Sequence, residues 1–167
     1  MKTPVRLLLI IGLVASVIAV VGFATTQQSR RKNPMPEKEF INPEGLSSTP
    51  SYTQVVTARG GKTIFVSGQV ATNARGEIVG AGDLRAQTKQ ALENLRIALA
   101  ASGATFADVV KMTYYIVNHK SEYLPMIRET RAQYLTGPKP PASTLIGVQA
   151  LARDEYLIEI EAIAVVP

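Results

Sequence analysis

A chain of 167 residues with 46% hydrophobic and 19% charged positions has room for one domain of ordinary size, with a real core, plus an extension. Its formal net charge of +5 comes with no basic block interleaved with aromatics, which argues against nucleic acid as a partner. Having no cysteine and one histidine, the chain has no disulfide, no thiolate nucleophile and no means of building the usual zinc site, so neither metal nor cofactor is expected.

Lys2 and Arg6 precede an uncharged, mostly apolar run from Leu7 to Ala24. As a helix it would rise about 27 Å, close to the hydrocarbon thickness of a bilayer. Two readings stay open for residues 1–24: a signal peptide with Gly22-Phe23-Ala24 as its small-x-small cleavage site, or a single-pass membrane anchor. Both direct the chain out of the cytoplasm, to the periplasm or another extracytoplasmic location, with membrane contact through this segment if it is uncleaved. Residues 25–50 are polar, carry Pro34, Pro36, Pro43 and Pro50, and show no sustained period, as a linker and lead-in would. The domain is expected over residues 51–167.

Within it, Gln54 to Arg59 and Lys62 to Val70 read as strands joined by Gly60-Gly61, a two-residue hairpin turn. A further turn at Asn73 to Glu77 leads to a brief strand at Ile78-Val79. Asp83 can cap a helix that Gly103 ends, with Thr88, Ala91, Leu92, Leu95, Ala98 and Leu99 on one apolar stripe. A strand follows from Val109 to Val117, then a polar loop in which His119 is read as a solvated residue. A second helix is expected from Ser121 to Leu135, with Pro125 in its first turn. Strands at Ser143 to Val148 and Tyr156 to Val166 complete the series.

Two helices cannot cover both faces of such a sheet, so an α+β domain of two layers is expected, with both helices on one face. The final strand makes this concrete. Ile158, Ile160, Ala162 and Ala164 alternate with Glu159, Glu161 and Ile163. The apolar set belongs against the helices, and the carboxylates look the other way, because a buried unpaired carboxylate is very costly. A sheet face that is uncovered and partly apolar implies a homo-oligomer.

Several segments together resemble the RidA/YjgF family: Pro50 to Val55, Ile64-Phe65-Val66-Ser67-Gly68-Gln69-Val70, the pattern from Gln87 to Leu99, Pro141-Ala142-Ser143, and Ile158-Glu159-Ile160-Glu161-Ala162. The resemblance spans about Ile41 to Val166. It implies a chorismate-mutase-like homotrimer with clefts between subunits, where the best-known members hydrolyse reactive enamines and imines to 2-keto acids and ammonia. By motif, Tyr52 and Glu159 are then the residues expected to act on substrate, with Ser67 and Gly68 lining the pocket and Glu161 structural. Members with this activity carry an arginine after the Pro-Ala pair, which grips the substrate carboxylate; here that position is Ser143. A hydroxyl cannot imitate a bidentate guanidinium. Arg128 and Arg131 project within the apolar stripe of the second helix at about 100° per residue. Arg128, which aligns with a pocket-facing polar position of the family, is the expected substitute anchor. Two functions remain open: an enamine/imine deaminase, or a trimer that binds small metabolites in the same clefts without catalysis.

Overall fold

The structure, a computed structural model, describes residues 34–47 and 49–167. The apolar run at 7–24 lies outside the described residues, and with it the choice between signal peptide and anchor. Among the described residues no helix is long and apolar enough to cross a membrane.

These residues form β1 (Glu37–Ile41), β2 (Val55–Arg59), β3 (Lys62–Gln69), α1 (Leu84–Ala101), β4 (Val109–Val117), α2 (Leu124–Ala132), β5 (Ala142–Val148) and β6 (Ile158–Val166). Short 3-10 turns precede β4 and α2, at Phe106–Asp108 and Ser121–Tyr123. The main sheet has the order β3-β6-β4-β5: β6 runs antiparallel to both its neighbours, and β5 runs parallel to β4. The strand formed last in sequence thus lies inside the sheet. Its alternation behaves as expected, with Ile158, Ile160, Ala162 and Ala164 buried and Glu159, Glu161 and Ile163 only half-buried.

Both helices pack on one face. Ala91, Leu92, Leu95 and Leu99 of α1 join Met112, Tyr114 and Ile116 of β4, Ile127 of α2 and the apolar row of β6 in one core. Each fully buried leucine is worth about 1.5–3 kcal/mol of hydrophobic stabilisation. The Asp83 side chain accepts the N–H groups of Arg85 and Ala86 at 2.9 and 3.0 Å, capping α1. Gln87 is fully buried and connects helix to sheet: its Nε2 donates to the Glu155 carbonyl, and its Oε1 accepts the Leu157 N–H at 2.8 Å. A buried amide satisfied in this way fixes where β6 begins.

Five local expectations need correction. The lead-in carries β1, paired antiparallel with β2 from Glu37↔Arg59 to Ile41↔Val55. Its Glu-Lys-Glu composition hid it, since those side chains are poor strand formers and only pairing makes the strand. Gly60 and Gly61 do turn the chain with positive φ (73° and 74°), but β2 goes to β1 and β3 to β6 rather than forming a hairpin ladder with each other. The brief strand at Ile78-Val79 is a single bridge, Thr72↔Ile78. The second helix is shorter than its periodicity predicts, and Ser121–Tyr123 is 3-10 because Pro125 lies at the start of α2. His119 is half-buried rather than fully solvated: Asn118 takes φ 47°, the imidazole meets the Tyr123 ring edge-on at 6.4 Å, and Nδ1 is buried without a hydrogen-bond partner. Gly147 permits this, since a Cβ there would lie 3.0 Å from the His119 Cβ.

Candidate functional site

The residues expected to form one pocket divide between the two faces of the sheet. Tyr52, Arg128 and Ser143 line a cavity of about 100 Å³ on the helix-covered side. Register explains Ser143: it pairs with Met112, whose side chain is in the core, so its hydroxyl points toward α2. Leu124 and Ile127 of α2 and Leu145 of β5 give the cavity an apolar wall.

Tyr52 is held by its neighbours on either side. Thr53 is buried, bridges to Ala142 in parallel, and gives its hydroxyl proton to the Pro140 carbonyl. Arg131 donates from Nη2 to the Ser51 carbonyl at 2.7 Å, and its guanidinium lies 5.9 Å from the centre of the Tyr114 ring. Burial pushes the Tyr114 hydroxyl up to about 12, and the positive charge of Arg131 works against that rise. Arg131 is therefore a cavity residue that motif matching did not assign. Its place in the helical stripe was the available signal.

Ser67, Gly68 and Glu159 lie on the opposite, open face. The β3–β6 register slips between Val66 and Gln69, which sets Ser67 and Gly68 opposite Glu161, and the Glu159 side chain reaches back over Gly68. A Cβ on Gly68 would stand 1.7 Å from the Glu159 Oε1, so only glycine leaves room for the carboxylate against the β3 backbone. Ser67 borders a hollow of about 250 Å³ with Phe65, Glu161 and Ile163. Tyr115 donates its hydroxyl to Glu161 at 3.2 Å, and partial burial followed by that carboxylate raises the phenol's pKa. Lys111 bonds the Thr144 hydroxyl; burial lowers its pKa, and the charge of Glu161 partly offsets this. Phe65, on the edge strand beside Ile163, is 77% exposed.

Among the described residues no cluster of histidine and carboxylate side chains could hold a metal ion. The chemistry available is that of carboxylate, hydroxyl and guanidinium groups.

The layered fold with a mixed four-stranded sheet and two helices on one face is that of small chorismate-mutase-like proteins. Residues 44–166 match the family model described as Endoribonuclease L-PSP, and the chain belongs to this Rid (YjgF) family. A solved structure of the Rid family protein YyfB from Yersinia pestis is 44% identical, with a TM-score of 0.73 over 77% of this chain and 98% of that one. A RutC family protein of Pyrococcus horikoshii is 40% identical over 68% of this chain and 85% of its own length. A protein of Dermatophagoides farinae named 2-iminobutanoate/2-iminopropanoate deaminase is 32% identical over 75% of this chain and 99% of its own length.

Proposed function

We propose that the chain hydrolyses small reactive enamines and imines to a carbonyl product and ammonia, at clefts that form between copies of itself. The observation that carries this reading is the division of the site. Glu159, seated on Gly68, faces outward on the open face, and Tyr52, Arg128 and Ser143 face a cavity at the α2–β5 edge. A ligand that touches both sets must lie where one copy's open face meets another copy's cavity. The deaminase name of the mite relative supports the reaction.

In the proposed reaction a water oxygen bonds to the imine carbon while Glu159 accepts one of its protons. That proton is passed to the nitrogen to give the carbinolamine; its hydroxyl proton then moves through Glu159 to the nitrogen as the C–N bond breaks, so that ammonia leaves and the carbonyl forms. Tyr52 and Ser143 offer hydroxyls to the substrate, and Arg128 supplies a cation from the helix. Ser67 and Gly68 form the floor beneath Glu159. No cofactor enters the scheme. Cleavage of RNA, which the family description names, finds little support in a chain with one histidine and no basic block.

Ammonia release from freshly generated 2-iminopropanoate, measured with the purified protein, tests the reaction. Release no faster than in buffer would overturn it. A second reading, a metabolite-binding trimer without catalysis, is favoured by Ser143, which has no guanidinium for a carboxylate; it predicts binding of small 2-keto acids without release.

The assembly proposed is a homotrimer, supported by the uncovered face, on whose edge strand β3 Phe65 stands exposed. Light scattering at micromolar concentration checks it, and a stable monomer would remove the cleft. Export of the domain, or its display on a membrane by residues 1–24, remains part of the proposal on the strength of the leader. Protease accessibility in intact spheroplasts decides that point, and full protection would refute export.

A further inference from the structure

The cavity that holds Tyr52 has an unusual charge balance. Arg128 and Arg131 both line it, and no carboxylate does. They stand at i and i+3 on α2, so their Cβ atoms lie about 5–6 Å apart on one face. Neither forms a salt bridge among the described residues: Arg131 gives one N–H to the Ser51 carbonyl, and Arg128 stands exposed at the rim. A guanidinium has five N–H donors in a rigid fork, which leaves Arg131 most of its hydrogen-bonding capacity. Because Tyr114 and Ser51 already fix Arg131, little further ordering is needed when it takes a ligand.

One carboxylate would leave the second of these cations unmatched. We infer that this cavity takes a small dicarboxylate, so that the substrate class of the proposed reaction is a 2-imino acid with a second carboxylate in its side chain. The inference rests on reading this cavity as part of the site. Arg131 receives one carboxylate at the fixed inner end and Arg128 the other at the rim. Ser143 and Tyr52 offer hydroxyls between them. The space within one subunit is about 100 Å³, well below the 300 Å³ or more of a drug-sized pocket, which suits a ligand portion of a few carbons. A phosphate monoester shares the dianionic chemistry, and the test separates it from a diacid.

Calorimetric titration of the purified protein compares two stable four-carbon 2-keto acids, oxaloacetate and 2-oxobutanoate, with phosphoenolpyruvate as a third probe. The expected result is oxaloacetate binding at least tenfold more tightly than 2-oxobutanoate, and more tightly than phosphoenolpyruvate. Arg128→Gln, at an exposed position that leaves the Arg131–Ser51 bond in place, should reduce the diacid preference to within twofold at an unchanged melting temperature. Equal affinity for the one- and two-carboxylate acids, binding of neither, or a preference that survives Arg128→Gln overturns the inference. Tighter phosphoenolpyruvate binding would reassign the site to phosphate esters. These outcomes are separable from failure of the reaction: a diacid preference without ammonia release removes the hydrolysis alone, and ammonia release without that preference removes the diacid alone.

Discussion

On one side of β6, Ile158, Ile160 and Ala162 are closed off from water by α1; on the other, Glu159, Glu161 and Ile163 meet little beyond their own sheet. Against β6 the covered face is self-sufficient. Its polar groups are answered within the chain, Gln87 by the Glu155 carbonyl and Leu157 N–H, and Asn94 by the Val70 and Thr72 carbonyls. The open face satisfies only some of its groups, through Tyr115 with Glu161 and Lys111 with Thr144, and leaves Phe65 in solvent. The contrast teaches that around β6 stability is concentrated on one face and unpartnered groups on the other, while the α2–β5 edge of the covered side keeps free donors on Arg128 and Arg131. A change in the covered core should act on folding, and a change on the open face on association and chemistry.

The largest effect should come from Leu92→Ala on the covered face. Removing a fully buried leucine leaves a cavity, and a loss of about 2–5 kcal/mol is expected in denaturant unfolding. Phe65→Asp on the open face should leave the stability of a single subunit within about 1 kcal/mol, since the side chain is 77% exposed, while light scattering shifts toward monomer. If Phe65→Asp unfolded the protein as Leu92→Ala does, the division between the faces would fail.

Tyr114 sharpens the comparison through pH. Its folded hydroxyl is raised to about 12, above the value of about 10 expected in the unfolded chain. The folded state therefore holds this proton more tightly. Its contribution is intact below about pH 10 and is lost as pH rises toward about 12. Tyr114→Phe should remove that alkaline loss, about 1–2 kcal/mol of difference at pH 11.5 relative to pH 8 in parallel urea titrations.

Gly68→Ala is expected to have the smallest effect on stability and a selective effect on chemistry. The new methyl would meet the mobile end of Glu159, which can swing aside at a cost below about 1 kcal/mol. Ammonia release should fall at least tenfold, because the carboxylate loses its seat. Unchanged release in this variant would remove Glu159 from the reaction.

Much of this architecture is legible in local sequence. The period of two in β6 and the stripe of α1 each encode which way side chains point, and both match the structure because the same core satisfies them. Partnership across long separations is not encoded that way. Nothing in Glu37 to Ile41 announces that β2 will pair with it, and nothing local in Gly60-Gly61 says that the strands on either side join different sheets. The candidate site residues are named by motif in the sequence, and their arrangement is not. Tyr52 and Glu159 are recognised by motif, yet a sheet stands between them in one chain. His119 went astray for a similar reason: its packing depends on the missing side chain of Gly147, 28 positions downstream.

The interior position of β6 also governs the order of events when the chain is made. β3 and β4 have no ladder with each other; each pairs with β6, so residues 62–69 and 109–117 wait for residues 158–166 before either gains that neighbour. Such non-local closure is slow and leaves apolar strands exposed in the meantime. On the ribosome, only the β4–β5 pair of the main sheet can form before the strand that joins it to β3 has emerged. Were the chain exported as proposed, that delay would keep it threadable until it had crossed. In that interval the nascent strands expose apolar surface of the kind that chaperones bind.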